Sequence, residues 1–313
     1  MAATPIDRIA VIGAGAIGGW IAARLALAGH RVSAFGRSGP VDALRLSEAG
    51  REEEGRFHPA EGVQDLVVVA VKAPALAEAA EAAGPLIGPE TLILPMLNGV
   101  PWWFLPGAPL RSVDPDGRIA AAFAIEQVIG SVVHASTRRE GPGDIVVNHA
   151  DKLILGEPSG RTSERVALLA AMFEEAGIRA EQSADIRRAI WYKLWGNATI
   201  NPLSALTRAT ADRLLANPPL RAFMLEAMAE LAAIGAAVGC PIEQSGEDRM
   251  AVTARLGAFK TSMLQDVEAG RPIELETLLG APREIAARLG LPTPKLDLLY
   301  AMTREMGENL RLL

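Results

Sequence analysis

The sequence predicts an α/β protein in which a doubly wound, mainly parallel sheet is followed by an all-α domain. Three observations support this fold class. The chain opens with the apolar run Arg8–Ile12, a glycine-rich turn and a helical segment Gly19–Ala28. A second apolar run, Leu66–Val71, is rich in β-branched residues, as is typical of an interior strand of a parallel sheet. From about Asp185 the pattern is helical almost throughout. We therefore predict a Rossmann-type domain over residues 1–182 and a helical domain over residues 183–313.

Composition narrows the class of protein. A chain of 313 residues, half of them hydrophobic, is long enough for two domains with real cores. The net charge of -6 gives no electrostatic reason to bind nucleic acid or an anionic membrane. One cysteine, Cys240, excludes an intrachain disulfide and a cysteine-cluster metal site, and we predict no metal. The N-terminus lacks the features of a signal peptide, and the apolar run Leu225–Val238 is too short to span a bilayer. A cytoplasmic protein is expected.

The glycine-rich turn has the spacing GxGxxG, at Gly13, Gly15 and Gly18, between a strand and a helix. In dinucleotide-binding domains the first glycine makes the tight turn, the second lets the backbone approach a pyrophosphate, and the third lets helix and strand pack closely. Free N–H groups and the helix dipole then bind phosphate. The alternative is a glycine-rich turn without a ligand. The predicted phosphate-binding residues are Gly13, Ala14, Gly15, Ala16, Ile17 and Gly18.

The end of the second predicted strand, Arg31–Phe35, discriminates between cofactors. An NAD enzyme usually places an acidic residue there to bind the ribose hydroxyls. This chain has Gly36, Arg37 and Ser38 instead. A guanidinium can pair bidentately with a 2′-phosphate, which a carboxylate would repel. The sequence favours NADP, and the alternative is that Arg37 is an ordinary solvated residue.

Polar residues also follow the next two strands of the predicted sheet. Lys72 comes directly after Leu66–Val71, and Asn98 comes shortly after a predicted strand at Thr91–Leu94. Ligands of doubly wound sheets bind beyond the carboxyl ends of the strands. Both side chains are therefore expected beside the cofactor, although Asn-Gly is also a plain turn signal.

The rest of the first domain is predicted from shorter patterns. A small antiparallel addition to the sheet is predicted from three apolar runs, Val128–Ala135, Ile145–Asn148 and Leu153–Leu155. The remaining elements are helices Ala75–Ala83 and Ser163–Ala176, the latter ended by Gly177, and a last strand Ile178–Ala180.

The helical domain contains a polar stripe. Within Trp191–Leu206, the residues Lys193, Asn197 and Asn201 are spaced i, i+4, i+8, which stacks them on one face of a helix. Their neighbours are apolar, so a buried stripe needs hydrogen-bond partners that a ligand could supply. A partly exposed helix whose stripe faces water explains the spacing equally well. Lys193 is the best proton donor in this stretch, because burial would bring its pKa closer to neutrality.

Proline and glycine mark the limits of the predicted helices. Pro202 is expected to break or kink the first of them near Asn201. A turn at Gly270–Pro272 is expected to separate a helix over Phe259–Asp266 from one that begins with Glu274. The other predicted helices are Leu220–Val238, Glu284–Leu289 and Leu296–Leu310.

Five motifs together resemble one known family. They are GAGAIGG, VAVKA, LNGV, WYKLWGNATINPLSAL and KTSMLQDVEAGRPIELETLLG, and they cover almost the whole chain. In this order and at near-family spacing, they are similar to those of the ketopantoate reductase (2-dehydropantoate 2-reductase) family. The resemblance implies NADPH-dependent reduction of the 2-oxo acid 2-dehydropantoate to pantoate, in the route to pantothenate and coenzyme A.

The resemblance also implies residue roles. Lys193 would be the proton donor, and Glu274 would orient it and contact the cofactor side of the site. An ordinary acidic residue at a helix N-terminus is the alternative for Glu274. Ser262 would hold the substrate carboxylate with help from neighbouring backbone. The implied substrate contacts are Asn197, Asn201 and Ser262. The implied cofactor contacts, apart from the glycine turn, are Lys72, Asn98, Glu274 and, more loosely, Ser136.

Two departures from the family pattern keep other functions open. A further family asparagine falls here on Ala211, and the segment after Asn98 carries the bulky residues Trp102 and Trp103. These changes favour as an alternative a related reductase or dehydrogenase for another bulky 2-oxo or 2-hydroxy acid, with NADP or NAD. A non-catalytic NADP-binding sensor is a third alternative, which would have no need for the proton donor Lys193. The helical domain offers apolar surface for a homodimer.

Overall fold

A computed structural model describes residues 6–313 and divides them into two compact units. The first unit comprises the described residues up to Val71, together with Ala75–Leu97 and Gly117–Ala189. The second unit comprises Lys72–Pro74, Asn98–Asp116 and Ile190–Leu313. The predicted absence of a signal peptide rests partly on residues 1–5, which lie outside the described range.

The first unit contains ten strands in its described residues. In chain order they are β1 Arg8–Ile12, β2 Arg31–Gly36, β3 Gly39–Val41, β4 Ala43–Glu48, β5 Arg51–Arg56, β6 Leu66–Val69, β7 Leu92–Pro95, β8 Gly130–Gly141, β9 Asp144–Gly156 and β10 Ala180–Gln182. Its four α-helices are α1 Ala16–Leu27, α2 Leu76–Ala83, α3 Arg118–Ala122 and α4 Glu164–Glu175.

The first sheet has the strand order β3-β2-β1-β6-β7. Strands β2, β1, β6 and β7 are parallel, and only β3 runs antiparallel, at one edge. Ile9–Ile12 of β1 and all of β6 are buried, which explains their continuous apolar sequence. The predicted Rossmann-type sheet is therefore confirmed, with β1 at its centre.

The predicted antiparallel pairing is confirmed for β8 and β9, but these strands do not extend the first sheet, so the prediction that they add to it was wrong. Strands β4, β5, β8, β9 and β10 form a second sheet of their own, in which the two predicted runs Ile145–Asn148 and Leu153–Leu155 are one continuous strand, β9. Helix α1 packs against this second sheet as well as the first. A Cβ on Gly19 would lie 2.9 Å from the Ile145 side chain, and a Cβ on Gly55 would lie 2.7 Å from the backbone of Ala23. Small residues thus let α1 lie between two sheets.

Helix boundaries in the first unit follow local capping. Helix α1 begins at Ala16, three residues before the predicted Gly19, because Gly15 takes the N-cap position. Helix α4 lies within the predicted Ser163–Ala176, and the Ser163 side chain accepts a hydrogen bond from the Val166 N–H. The last strand is Ala180–Gln182 rather than Ile178–Ala180.

The second unit is helical, as predicted. Its α-helices are α5 Ile186–Thr207, of which residues from Ile190 belong to this unit, α6 Ala211–Leu215, α7 Pro218–Ala237, α8 Gly246–Ala254, α9 Ser262–Glu268, α10 Ala281–Leu289 and α11 Pro294–Leu310. A π-helical turn at Glu276–Gly280 leads into α10. Glu274 therefore lies just before the helix it was predicted to begin, and α9 starts three residues after the predicted Phe259.

Helix α5 is continuous, so the predicted break at Pro202 was wrong. The residues around the proline, Ala198, Ile200 and Leu203, are buried on this helix. Tertiary packing of a long helix can offset the loss of one internal hydrogen bond.

Two indole groups attach α5 to α7. Trp191 Nε1 donates to the Leu231 carbonyl at 3.1 Å, and Trp195 Nε1 donates to the Met228 carbonyl at 2.8 Å. Gly235 makes room for the first, because a Cβ there would lie 2.2 Å from Trp191 Nε1. These contacts fix the rotation of α5 about its axis, and with it the direction of the polar stripe. No helix within residues 6–313 is long and apolar enough to cross a membrane.

Candidate active site

Two of the three glycines in the turn, Gly13 and Gly18, are required by contacts within the protein itself. The N–H groups of Gly13 and Ala14 both donate to the Phe35 carbonyl at 2.8 Å, and Gly13 has a φ of 99°. A Cβ on Gly18 would lie 2.1 Å from the Gly13 carbonyl oxygen. Only glycine fits at position 18, because helix α1 and the turn after β1 approach so closely.

Gly15 is different, since its surroundings are open. A Cβ there would meet only the Gly13 carbonyl oxygen, at 3.9 Å. Gly15 is the N-cap of α1, yet no side chain caps this helix and no acidic residue lies in its first turn. The Gly13, Ala14 and Gly15 N–H groups donate to carbonyls of the protein itself, so the N–H groups of the first turn of α1 and the positive helix end are left for an anion. These residues fit the pyrophosphate of a dinucleotide, which supports the predicted role of Gly13–Gly18.

Two further predicted cofactor contacts lie in the first unit. Arg37 is exposed in the turn between β2 and β3, and the end of β2 at Phe35-Gly36 carries no acidic residue. This arrangement fits a 2′-phosphate better than free ribose hydroxyls. Ser136 is an exposed residue of β8, where it pairs with His149 of β9.

Lys193, Asn98 and Glu274 form a hydrogen-bonded chain in the second unit. Lys193 Nζ donates to Asn98 Oδ1 at 2.9 Å, and Asn98 Nδ2 donates to Glu274 Oε2 at 3.1 Å. Asn98 therefore bridges an amine and a carboxylate. Glu274 is only 9% exposed, so its carboxylate depends on such partners.

Burial shifts the pKa values of the two charged groups in opposite directions. It lowers the pKa of Lys193 to about 8, although the nearby charge of Glu274 acts to raise it. Burial raises the pKa of Glu274, while the charge of Lys72 and the hydrogen bond from Asn98 act to lower it. A lysine whose pKa lies close to neutral pH can donate a proton readily, as general acid catalysis requires.

Lys72 belongs to a neighbouring ion-pair cluster that sequence reasoning missed. Lys72 Nζ forms an ion pair with Asp266, which is 4% exposed and also accepts from Arg271 Nε at 3.0 Å. The charge of Asp266 acts to raise the pKa of Glu274, opposite to the effect of Lys72. Nothing in the local sequence singles out Asp266, because Lys72 lies 194 residues away in the chain.

The polar stripe of α5 faces protein groups at both of its ends. Asn201 is buried, and its Nδ2 donates to Ser262 Oγ at 3.4 Å. Ser262 is exposed and is the first residue of α9, which is capped by Thr261. Asn197 lies between Lys193 and Asn201 on the same helix face and is half-buried. Within residues 6–313, no group of three His, Cys, Asp or Glu side chains is placed to hold a metal ion.

The fold and these residues define a class of protein. A dinucleotide-type glycine turn in one unit, with a half-buried lysine and a buried carboxylate in the other, is typical of nicotinamide-dependent oxidoreductases. The family model described as Ketopantoate reductase PanE/ApbA matches residues 9–160, and the model for its C-terminal part matches residues 185–307. The chain belongs to the ketopantoate reductase family, whose members are NADP-dependent oxidoreductases.

Full-length relatives agree with this assignment. The chain is 40% identical to the 2-dehydropantoate 2-reductase of Mesorhizobium japonicum over 96% of its own length and 98% of that protein. The crystal structure of a candidate ketopantoate reductase from Ralstonia solanacearum MolK2 is 47% identical, with a TM-score of 0.94 over 98% of this chain and 100% of that chain. The 2-dehydropantoate 2-reductase structure from Methylococcus capsulatus is 31% identical, with a TM-score of 0.83 over 97% of each chain.

Proposed function

We propose that this protein catalyses the NADPH-dependent reduction of 2-dehydropantoate to pantoate, a step toward pantothenate and coenzyme A. The observation that carries the proposal is the chain from Lys193 through Asn98 to the buried Glu274, in a member of this reductase family. It supplies a proton donor whose pKa of about 8 suits a reaction near neutral pH.

The chemistry divides between cofactor and protein. When bound, NADPH would provide the hydride that reduces the carbonyl carbon of the 2-oxo acid. Lys193 donates a proton from its ammonium group to the carbonyl oxygen, which becomes the hydroxyl of the product. Glu274 favours the ammonium form of Lys193 electrostatically before the transfer, and Asn98 holds the two groups in line.

Other residues bind and orient the reactants. Ser262, at the start of α9, would receive the substrate carboxylate together with neighbouring backbone N–H groups, where the helix dipole favours negative charge. Asn197 and Asn201 would bind the remaining polar groups of the substrate. The residues that would hold NADPH are Gly13, Ala14, Gly15, Ala16, Ile17, Gly18, Arg37, Lys72, Asn98, Ser136 and Glu274.

We also propose a role for each domain, a cellular location and an oligomeric state. Residues 1–182 would bind NADP and residues 183–313 would bind the substrate and supply the proton. A cytoplasmic homodimer is the proposed form. Exposed apolar side chains of α11, Leu298 and Met302, offer surface for such a dimer.

The decisive experiment measures NADPH oxidation by the purified protein with 2-dehydropantoate, with NADH in parallel. We expect turnover with NADPH, and we expect Lys193→Ala to lose roughly 10²–10⁴-fold in kcat with little change in NADPH affinity. Lys260→Ala is the matched control, because Lys260 is an exposed lysine paired with Glu268. Near-normal turnover by Lys193→Ala would refute the role of Lys193, and NADPH binding without turnover of any 2-oxo acid would favour the sensor.

The residue at position 211 and nearby buried aromatic residues favour a second class of substrate, other bulky 2-oxo acids, which should also be assayed. The position of the family asparagine is taken by Ala211, which is fully buried at the start of α6. Trp102 and Trp103 are also buried in this unit, and Phe104 packs on Trp191 with ring centroids 5.5 Å apart. A panel of bulky 2-oxo acids tests this alternative, which a higher kcat/KM for one of them than for 2-dehydropantoate would favour.

A further inference from the structure

Asn98 lies at the start of a short segment that is hydrogen-bonded to the π-helical turn. The Val100 N–H donates to the Thr277 carbonyl at 2.8 Å. Thr277 belongs to the turn Glu276–Gly280, which follows directly after Glu274 and Leu275. The segment that carries Asn98 is thus attached, two residues later, to the helix that follows Glu274.

The Thr277 carbonyl can accept this bond because the helix leaves it without a helical donor. In a regular α-helix it would accept from the N–H of Ala281, four residues on. Here the Ala281 N–H donates to the Glu276 carbonyl instead, in the wider π-helical pattern. The next donor in that pattern would be residue 282, which is a proline without an N–H group. The π-turn and Pro282 together leave the Thr277 carbonyl available to accept a hydrogen bond from another segment.

Gly99 allows the close approach that this bond needs. A Cβ at this position would lie 2.3 Å from the Thr277 carbonyl oxygen and 2.9 Å from Thr277 Cβ. Gly99 also has a φ of 84°, which side chains other than glycine rarely adopt. Any larger residue must push the segment away from the turn, and Asn98 with it.

We propose that the Val100–Thr277 bond, with Gly99 and Pro282, is an anchor that positions Asn98 between Lys193 and Glu274. Gly99, Thr277 and Pro282 are positioning residues that act through Asn98. The anchor uses a main-chain bond, which is short and rigid. Its part in catalysis rests on the proposed function, whereas its effect on the amine of Lys193 does not.

The effect on Lys193 can be measured without a substrate. The sequence has only five lysines, so the Cε signals of protein labelled with [¹³C]lysine can be assigned, and Lys193→Arg identifies the signal of interest. Asn98 Oδ1 accepts a hydrogen bond from the ammonium group and so favours its charged form. We expect Gly99→Ala to move the titration midpoint of Lys193 to lower pH by about one unit, the size expected for loss of one hydrogen bond to a charged donor.

Matched variants separate this effect from backbone strain. Gly107 also has a positive φ, 68°, but a Cβ there would meet no atom within 4 Å, so Gly107→Ala should leave the midpoint unchanged. Pro282→Ala introduces no clash and provides an N–H that competes for the Thr277 carbonyl. It should shift the midpoint in the same direction, even if Gly99→Ala does not fold. Pro294→Ala, at the first position of α11, is its control.

A double mutant tests whether the anchor acts through Asn98. Asn98→Ala alone should shift the midpoint as Gly99→Ala does, and the combined variant should shift it no further. An unchanged midpoint in both Gly99→Ala and Pro282→Ala overturns the proposal, and so does an additive shift in the double mutant.

The catalytic consequence is measured separately, with the best 2-oxo acid. Gly99→Ala should lower kcat by about 10²-fold, a loss typical of a misplaced catalytic group, with KM for the 2-oxo acid within about threefold of the wild-type value. If wild-type protein reduces no 2-oxo acid, the proposed function fails while the titration still decides the anchor. If the wild type is active and Gly99→Ala retains its kcat, the anchor has no catalytic role.

Discussion

The pH dependence of the reduction follows directly from the environment of Lys193. The residue must carry a proton to donate one, and burial lowers its pKa from 10.5 to about 8. A group with a pKa of about 8 is about 90% protonated at pH 7 and about 1% protonated at pH 10, so kcat should fall about 90-fold between these pH values. With the ordinary pKa of 10.5, the fall over the same range would be less than about twofold.

The assay measures kcat for NADPH oxidation between pH 6 and pH 10 (~0.5-unit steps), at saturating substrate and constant ionic strength. Lys193→Arg replaces the amine by a guanidinium that stays charged throughout this range, so its lower kcat should not show the alkaline fall. Lys260→Arg is the matched control at an exposed lysine and should retain the wild-type profile.

Two results would refute this reasoning. A wild-type kcat that stays level up to pH 10 would mean that the proton comes from a group with a higher pKa. An alkaline fall with the same midpoint in Lys193→Arg would assign the titration to another residue. Either result would remove Lys193 from the role of proton donor.

The remaining predictions concern the charges and glycines around the cofactor and the amine. Glu274→Gln should move the alkaline limb of kcat to lower pH, because the Glu274 charge acts to raise the pKa of Lys193; an unchanged limb in the same pH assay would contradict this. Arg37→Ala should raise KM for NADPH by about tenfold, the loss of about one charged hydrogen bond, while steady-state kcat/KM with NADH stays within about twofold. Gly15→Ala should weaken NADPH binding in a fluorescence titration without lowering the melting temperature, since its Cβ meets no protein atom closer than 3.9 Å. Gly18→Ala, whose Cβ would lie 2.1 Å from a carbonyl oxygen, should lower the melting temperature, and equal effects of the two glycine variants would contradict both predictions.

Local sequence patterns predicted the first sheet well and the second sheet poorly. Strand β1 has the predicted bounds, and the glycine turn follows it directly in the chain. Strand β4, by contrast, pairs with β9, so Leu46 lies beside Ile145. A pairing between residues about one hundred positions apart leaves no periodicity at either end. No strand was predicted for β4, and the sheet that it joins depends on packing against α1.

In the candidate site, too, local patterns predicted individual residues but not the distant residues that they contact. Spacing alone selected Lys193 and Asn201 and placed them on one helix face, and strand ends selected Lys72 and Asn98. The partners of these residues are distant in the chain, since Asn98 lies 95 residues from Lys193 and 176 residues from Glu274. Local rules also overestimated the power of Pro202 to end the helix, because α5 continues, with buried neighbours, through a residue that would end an isolated helix.

The two indole bonds between α5 and α7 have a consequence for altering substrate preference. Trp191 and Trp195 donate to main-chain carbonyls of α7, so these bonds use no side-chain group of that helix and need only the space left by Gly235. Substitutions at Asn197, a proposed substrate contact, should therefore leave the amine of Lys193 in its place. On the proposed roles, a helix held in this way would separate substrate recognition from proton donation, so that evolution or engineering could vary the acid that is bound without rebuilding the proposed proton donor.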